Sequence, residues 1–214
     1  MKIMAFNGSP RKRWNTAMLL EAVLEGAAEA GAQTELVHLY GLDYKGCTSC
    51  FECKKLGGKS YGRCAMQDEL RPVLERAAGA DGLVAGSPVY FGAETGECRS
   101  FLERLLFPYL TYTPGYATLF PRKIPTALVY TMNIPEHALE KWGYTVFMER
   151  MRGVMERTLG ACELLLSADT LQFDDYEKYL CTVFDAQAKA KRREEVFPQD
   201  LERARALGRR MAGG

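Results

Sequence analysis

The sequence predicts a doubly wound α/β domain, in which a five-stranded parallel sheet carries helices on both faces. Two features of the 214 residues lead to this fold class. Five short apolar runs have the composition of buried strands, and stretches with an apolar stripe at helical spacing separate them. This alternation is typical of parallel sheets, because each crossover helix covers one face of the sheet. Apolar residues make up 47% of the chain, which is enough to fill the core of one sizeable domain.

The first strand is predicted at residues 2–6 (KIMAF), because this apolar run stops at the Asn7-Gly8 turn. Later apolar runs predict the other strands at residues 34–39, 82–86, 125–131 and 162–168. Apolar stripes predict helices at residues 16–31, 68–79, 98–106, about 136–159 and about 185–211, the last broken near Pro198. Repeats and flexible linkers are absent from the sequence. We therefore expect residues 1–214 to form a single domain with a cysteine-rich loop at residues 44–67.

Composition narrows the classes of partner. Lys and Arg number 28 against 27 for Asp and Glu, so no electrostatic reason exists to expect nucleic acid or an anionic membrane as a partner. No run approaches the roughly 20 apolar residues of a transmembrane helix, and the first residues lack the pattern of a signal peptide. We therefore expect a cytoplasmic, reducing location. A disulfide framework is not expected there, and the odd number of cysteines, seven, also argues against full pairing.

Two loops at the carboxyl ends of predicted strands are candidate ligand sites, since open parallel sheets bind ligands at that edge. Residues 7–16 (NGSPRKRWNT) combine a tight turn, hydroxyl groups and three cations ahead of a helix, which favours a phosphate site. A solvated basic turn with Asn15 or Thr16 as the helix N-cap is the alternative. Residues 86–97 (GSPVYFGAETGE) place a proline, two aromatic rings and a glycine after a strand. They suit a flat conjugated ligand, or else a proline turn whose rings close the sheet end.

Four of the seven cysteines lie in the loop after the second predicted strand. Cys47, Cys50 and Cys53 follow one another at steps of three, and Cys64 follows after a ten-residue spacer. Thiolates at this spacing can ligate a [4Fe–4S] cluster, because short spacers let one loop contact three irons while a more distant thiolate ligates the fourth. A structural zinc site and cysteines without metal are the two alternatives. The glycines of the spacer allow it to fold back.

Several segments in fixed order carry a resemblance to a known family. They are residues 7–16, 47–53 (CTSCFEC) with Cys64, 68–69 (DE), 86–92 (GSPVYFG), 98–105 (CRSFLERL) and 171–179 (LQFDDYEKY). Together they resemble the flavodoxin-like NAD(P)H-dependent FMN reductase superfamily, and within it the iron–sulfur flavoprotein branch. The resemblance implies a sheet order of 2-1-3-4-5, bound FMN, and assembly as a homodimer or homotetramer.

The resemblance also assigns roles to residues. It places the FMN phosphate on the first loop, the isoalloxazine on the third-strand loop and the far side of the flavin on the fourth-strand loop. The implied FMN-binding residues are Ser9, Arg11, Asn15, Thr16, Pro88, Val89, Tyr90, Phe91, Gly92, Thr131, Met132 and Asn133. The implied ligands of a [4Fe–4S] cluster are Cys47, Cys50, Cys53 and Cys64.

Three functions follow as hypotheses. The first is a redox flavoprotein that transfers electrons between a [4Fe–4S] cluster and FMN, with a ferredoxin, a quinone or NAD(P)H as its partner. The second is a cluster-free NAD(P)H-dependent FMN or quinone reductase. The third is a flavodoxin-like electron carrier or a zinc-stapled binding module. The first needs no catalytic side chain, because the bound FMN supplies the chemistry.

The remaining candidates have structural interpretations. Cys98, Cys162 and Cys181 are expected to act as small buried apolar residues. His38 and His137 lack neighbours arranged for catalysis and are expected to be structural or exposed. The aromatic-rich loop at residues 107–121 is expected to form a subunit contact or a wall over the flavin, unless it packs on its own domain.

Overall fold

The computed structural model describes residues 1–213, which fold around one central sheet. Its strands are β1 (Lys2–Asn7), β2 (Gln33–His38), β3 (Gly82–Tyr90), β4 (Ala93–Glu94), β5 (Thr126–Thr131) and β6 (Cys162–Ser167). The order β2-β1-β3-β5-β6 joins parallel neighbours throughout, and the short β4 pairs antiparallel with β3. Counting the parallel strands alone, this is the order 2-1-3-4-5. The predicted flavodoxin-like fold class and strand order are confirmed.

Helices flank the sheet on both sides. They are α1 (Asn15–Glu29), α2 (Leu70–Gly79), α3 (Gly96–Leu106), α4 (Tyr144–Thr158), α5 (Ala186–Glu195) and α6 (Phe197–Met211). The prediction of one helix over residues 136–159 is wrong in its first part. Gly143 has a φ of 72°, a left-handed conformation that separates a short 3₁₀ turn at Glu136–Ala138 from α4. The predicted break in the C-terminal helix is present, with Pro198 in the first turn of α6.

Alternation along β1 shows how the two layers form. Ile3 and Ala5 face the core under α1 and α6, whereas Met4 and Phe6 face the core under α2, α3 and α4. All four side chains are fully buried, as expected for a central parallel strand covered on both faces. This packing brings the carboxyl ends of β1, β3 and β5 together at one edge of the sheet. None of the helices described for residues 1–213 has the length and apolar character needed to cross a membrane.

Candidate functional site

The loop between β1 and α1 is held by its own side chains. The Asn7 Oδ1 atom accepts a hydrogen bond from the Ser9 backbone N–H at 3.0 Å, and the Ser9 hydroxyl accepts one from the Arg11 N–H at 3.1 Å. Trp14 occupies the N-cap position of α1, so the alternative in which Asn15 or Thr16 caps this helix is wrong. The tryptophan side chain cannot accept a hydrogen bond. The first N–H groups of α1 therefore have no side-chain acceptor from their N-cap residue, which suits an anion.

Close packing supports this loop from below. The Gly8 N–H donates to the Gly86 carbonyl at 2.8 Å, and the Thr95 hydroxyl donates to the Gly8 carbonyl at 2.6 Å. A Cβ atom on Gly8 would lie 2.6 Å from the Cys98 Cβ, closer than real Cβ contacts allow. Glycine is therefore required where the first loop crosses the start of α3.

The segment after β6 lies against the first loop, and sequence reasoning assigned it no role in the site. Arg11 Nη1 donates to the Gln172 carbonyl at 2.6 Å, while Trp14 Nε1 and Asn15 Nδ2 donate to the Leu171 carbonyl at 3.2 and 2.9 Å. In the sequence, the segment was marked only by the inclusion of residues 171–179 among the segments that carry the family resemblance. These contacts make the segment a wall of the site, and Arg11 keeps further N–H groups for a ligand.

The predicted loop at residues 86–97 is largely a β-hairpin. Strand β3 continues to Tyr90 and β4 returns antiparallel to it, because Phe91 and Gly92 adopt left-handed φ values of 51° and 79°. Two left-handed residues in a two-residue loop are the geometry of a type I′ hairpin. The strand prediction at residues 82–86 was too short because Pro88 was interpreted as a turn residue. Pro88 instead lies in β3 opposite Thr131 of β5.

One open cleft collects most of the predicted FMN-binding residues at the carboxyl edge of the sheet. It is lined by Ser9, Arg11, Asn15, Thr16, Pro88, Val89, Tyr90, Thr131, Met132 and Asn133. Trp14, Thr170, Leu171 and Gln172 line it as well, and these four were missed. Phe91 and Gly92 form the exposed hairpin tip beside this lining. The Thr16 and Thr131 hydroxyls share a hydrogen bond of 2.7 Å, which joins α1 to β5 across the cleft floor.

An unsatisfied acceptor lies in this cleft. Asn133 Nδ2 donates to Gln172 Oε1 at 2.6 Å, but within residues 1–213 the buried Oδ1 atom of Asn133 has no hydrogen-bond partner. A buried acceptor without a donor costs about 1–3 kcal/mol. A ligand with hydroxyl or N–H groups, such as the ribityl chain or ring edge of FMN, would satisfy it. The residues present therefore fit FMN.

The four clustered cysteines line one small cavity together with Phe51, Arg104 and Phe107. Cys47 and Cys50 are exposed, Cys64 is half-buried and Cys53 is buried. Burial raises the pKa of the Cys53 thiol, and the three neighbouring cysteines raise it further. Among residues 1–213, no group of three or more His, Cys, Asp or Glu side chains has the spacing of a single metal-ion site. The loop gathers the thiols around a shared space.

Backbone geometry in the cysteine loop is unusual. Ser49 and Phe51 flank Cys50 and both have left-handed φ values, 54° and 57°, although neither is glycine. Such residues cost about 1–3 kcal/mol each and concentrate at functional sites. The loop therefore fits a cluster by its donor chemistry and its backbone.

The other candidates are placed as follows. Cys98 and Cys162 are buried, as expected, and burial raises the pKa of Cys162 to about 11. Cys181 is only half-buried, so the expectation that it is buried is wrong. His38 is half-buried and bonded to Asn7, and His137 is exposed. The aromatic-rich loop closes on itself through a bridge between Leu110 and Thr118 and lies away from the cleft. It borders a separate apolar groove of about 450 Å³ beside Cys47.

Comparison with known proteins identifies the family. A model of the NADPH-dependent FMN reductase family matches residues 1–124, more than half of the chain. The chain belongs to the NADPH-dependent FMN reductase family. This is a family of FMN-dependent oxidoreductases, and the curated relatives lie in its iron–sulfur flavoprotein branch.

Two of those relatives are archaeal proteins named iron–sulfur flavoprotein. The one from Archaeoglobus fulgidus is 39% identical over 104 residues, which cover 49% of this chain and 48% of the relative. The one from Methanosarcina thermophila is 30% identical over 104 residues, covering 49% and 52%. The chain thus spans about half the length of the curated relatives it matches.

Solved structures support the fold of this FMN reductase family member. The NAD(P)H:quinone oxidoreductase from Methanothermobacter marburgensis superposes with a TM-score of 0.69 at 19% identity, covering 98% of both chains. An FMN-dependent NADH-azoreductase from Bacillus anthracis, solved in complex with FMN, gives a TM-score of 0.66 at 13% identity, covering 99% of this chain and 100% of the other. At these identities the likeness concerns the fold alone.

Proposed function

We propose that this chain is an FMN-dependent oxidoreductase that transfers electrons between FMN and a [4Fe–4S] cluster. The observation that carries the proposal is a convergence of two sites. Residues from three separate loops line one cleft, and four cysteines line one cavity. Membership of the FMN reductase family and similarity to iron–sulfur flavoproteins support the same function.

In this proposal the first loop binds the FMN phosphate, through Ser9, Arg11, Asn15, Thr16 and the N-terminus of α1. Pro88, Val89 and Tyr90 pack beside the isoalloxazine, with Phe91 and Gly92 at the hairpin tip reaching its edge. Thr131, Met132 and Asn133 approach from β5, and the free acceptor of Asn133 receives a hydrogen bond from the ligand.

Cys47, Cys50, Cys53 and Cys64 are the proposed cluster ligands. When bound, the cluster exchanges single electrons and FMN accepts one or two, so the pair links one-electron carriers to two-electron acceptors. Within the chain, Lys54 stabilises the loop by donating to the carbonyl groups of Phe107, Pro108 and Leu110.

A ferredoxin, a quinone or NAD(P)H is the proposed redox partner, and nucleic acid and membranes are not. We further propose a homodimer or homotetramer in the cytoplasm. The apolar groove beside Cys47 and the exposed Tyr112 and Tyr116 support a subunit contact at the aromatic-rich loop.

The test is an anaerobic reconstitution with FMN, iron and sulfide, followed by an absorption spectrum and by counts of each component. The proposal requires one FMN and about four irons per chain. Cys50→Ala is expected to lose the iron but keep FMN, whereas Cys181→Ala, outside the cluster loop, keeps both.

Three other results would each lead to a different conclusion. FMN without iron, with rapid flavin reduction by NADPH, selects the cluster-free NAD(P)H-dependent reductase. Protein that binds neither FMN nor iron contradicts the proposal. Iron retained in Cys50→Ala contradicts the assignment of the ligands alone.

A further inference from the structure

Arg104 of α3 is a buried cation beside the cysteine loop. Its side chain has no exposed surface, whereas most arginines of this protein lie at least partly in solvent. A buried guanidinium is costly unless its N–H groups are hydrogen-bonded and its charge is paired. Burial by itself lowers the pKa of Arg104, but the hydrogen bonds to Asp68 and Cys64 hold it above its ordinary value.

The partners of Arg104 come from both ends of the cysteine loop. Nη1 donates to the Lys45 carbonyl at 3.1 Å and to one oxygen of Asp68, and Nη2 donates to the other Asp68 oxygen at 3.0 Å. Nε donates to the Cys64 Sγ atom at 3.3 Å. Lys45 precedes the first cysteine of the loop and Asp68 follows the last. One side chain therefore fastens the whole loop to α3.

The hydrogen bond from Arg104 to Cys64 explains how the fourth sulfur is positioned despite the ten-residue spacer before it. The spacer folds back on the earlier cysteines, and the Gly62 N–H donates to the Cys53 carbonyl at 2.9 Å. That bond returns the chain to the loop but does not involve the Cys64 side chain. The N–H···S contact from Arg104 then holds the sulfur at the cavity that the other three cysteines line.

We propose that Arg104 is the positioning residue of the fourth cysteine ligand and donates a hydrogen bond to its sulfur in the cluster-loaded protein. This inference rests on the proposed function, because it assumes that Cys64 ligates a cluster. A donor to a ligating sulfur stabilises the reduced cluster more than the oxidised one, since reduction adds negative charge. Arg104 thus also raises the reduction potential.

Lysine cannot replace Arg104. The planar guanidinium offers Nε to the sulfur while both of its other nitrogens face the Asp68 carboxylate. An ammonium group donates from one nitrogen, so it cannot reproduce the fork in which Nε meets the sulfur and two other nitrogens meet the two carboxylate oxygens. Arg104→Lys therefore keeps the charge and removes the contact with sulfur.

The experiment compares four reconstituted full-length proteins: wild type, Arg104→Lys, Asp68→Asn and the control Arg99→Lys. Arg99 lies on the same helix, but its side chain is 55% exposed and pairs with Glu103. The measurements are iron and sulfide retained against a chelator, the midpoint potential of the cluster, and the far-ultraviolet circular dichroism spectrum as a test of folding.

Arg104→Lys is expected to lose on the order of tenfold or more in cluster retention and to shift the potential to a more negative value. Asp68→Asn frees the guanidinium from its carboxylate anchor. It is expected to lower cluster retention and the potential as well, but by less than Arg104→Lys does. Arg99→Lys matches wild type. A purely structural role for Arg104 would leave the potential of the retained cluster unchanged.

Wild-type retention and potential in folded Arg104→Lys would overturn the inference while leaving the cluster proposal intact. If Arg104→Lys does not fold, Asp68→Asn decides in the same way. A wild-type protein that takes up no iron and sulfide overturns the cluster proposal, and the role of Arg104 falls with it. The wild-type iron count therefore separates the two failures.

Discussion

At the scale of single residues, Asn15 is the best example of a predicted site residue whose partner could not be predicted. Its Oδ1 atom accepts a hydrogen bond from Arg193 Nη1 at 2.8 Å, so its Nδ2 group faces the cleft and the Leu171 carbonyl. The Arg193 guanidinium also packs on the Phe197 ring, 4.1 Å from the ring centroid. Arg193 thus fixes which end of the Asn15 amide points toward the proposed phosphate site.

Removing the Arg193 side chain should therefore weaken the binding of FMN more than the binding of riboflavin, which lacks the phosphate. We expect Arg193→Met to weaken FMN binding about tenfold, the effect of one charge-assisted hydrogen bond, and to leave riboflavin binding nearly unchanged. Titrations followed by flavin fluorescence measure both affinities. Arg152→Met, on the exposed side of α4, is the control. Equal losses for the two flavins would show that Arg193 does not act at the phosphate.

A hydrogen bond that supports the first loop depends on the protonation state of His38. Its Nδ1 atom accepts a hydrogen bond from Asn7 Nδ2 at 3.0 Å, and the Asn7 amide is oriented by the Ser9 N–H on its other end. Acceptance requires a neutral ring nitrogen. Burial lowers the pKa of His38 below its ordinary value, and the charge of Lys12 lowers it further.

A lowered folded-state pKa means that the unfolded chain binds the proton more tightly. The stability from neutral His38 is therefore complete above about pH 6.5 and is lost as the pH falls through the lower folded value. Between pH 7.5 and pH 5 we expect the melting temperature of wild type to fall more than that of His38→Gln. The role of His38 would be refuted if the melting temperatures of the two proteins fell equally between pH 7.5 and pH 5.

At the scale of elements, the β3–β4 hairpin is held to the sheet by a buried pair. Tyr130 of β5 donates its hydroxyl to Glu94 Oε1 at 2.6 Å, and both side chains are shielded from solvent. Burial raises the pKa of Tyr130 and Glu94 raises it further, so the hydroxyl remains a donor at neutral pH. This bond places the hairpin that carries Val89 and Tyr90 beside the cleft.

Tyr130→Phe removes the donor and leaves the Glu94 carboxylate buried. We expect the free energy of unfolding to fall by about 1–3 kcal/mol, the cost of an unsatisfied buried polar group. FMN binding should weaken as well, because the hairpin loses its anchor. Urea denaturation measures the first effect. Tyr112→Phe, at a position that is 67% exposed, is the matched control and should change neither quantity.

At the scale of the whole molecule, α1 and α6 cross at close range on one face of the sheet. A Cβ atom on Gly208 would lie 1.8 Å from the Val23 carbonyl oxygen, and one on Gly26 would lie 1.9 Å from that of Arg205. Because these two residues are glycines without a Cβ atom, α6 can pack closely on α1 and cover this face of the sheet. We expect residues 1–214 to unfold in one transition, as a single domain.

Gly208→Ala should separate these helices. We expect the free energy of unfolding to fall by about 1–3 kcal/mol or more, and the melting temperature by roughly 5 °C or more. Gly153→Ala is the control, because a Cβ there meets no atom within 4 Å and alanine favours the helix interior. That variant should be as stable as wild type or slightly more. Equal melting temperatures for the two variants would contradict the close crossing.

The sequence by itself determined most of the strands and helices and the segments that carry the predicted binding residues. Apolar runs and helical stripes located five parallel strands and most helix positions, because these periods reflect burial on both faces of a sheet. The resemblance then predicted which loops bind FMN and which cysteines ligate a cluster, and both assignments remain proposals. Boundaries failed where local conformation overrides the pattern, as at Gly143 and in the hairpin beyond Pro88.

Only the tertiary structure decided which groups support the site. Arg193 meets Asn15 across 178 positions of the chain, Arg104 meets Cys64 across 40, and Tyr130 meets Glu94 across 36. A local pattern records which face of an element is buried, but it carries no information about which distant side chain packs there. Those contacts depend on how the strands are ordered and how closely the helices cross, so they exist only once the chain has folded.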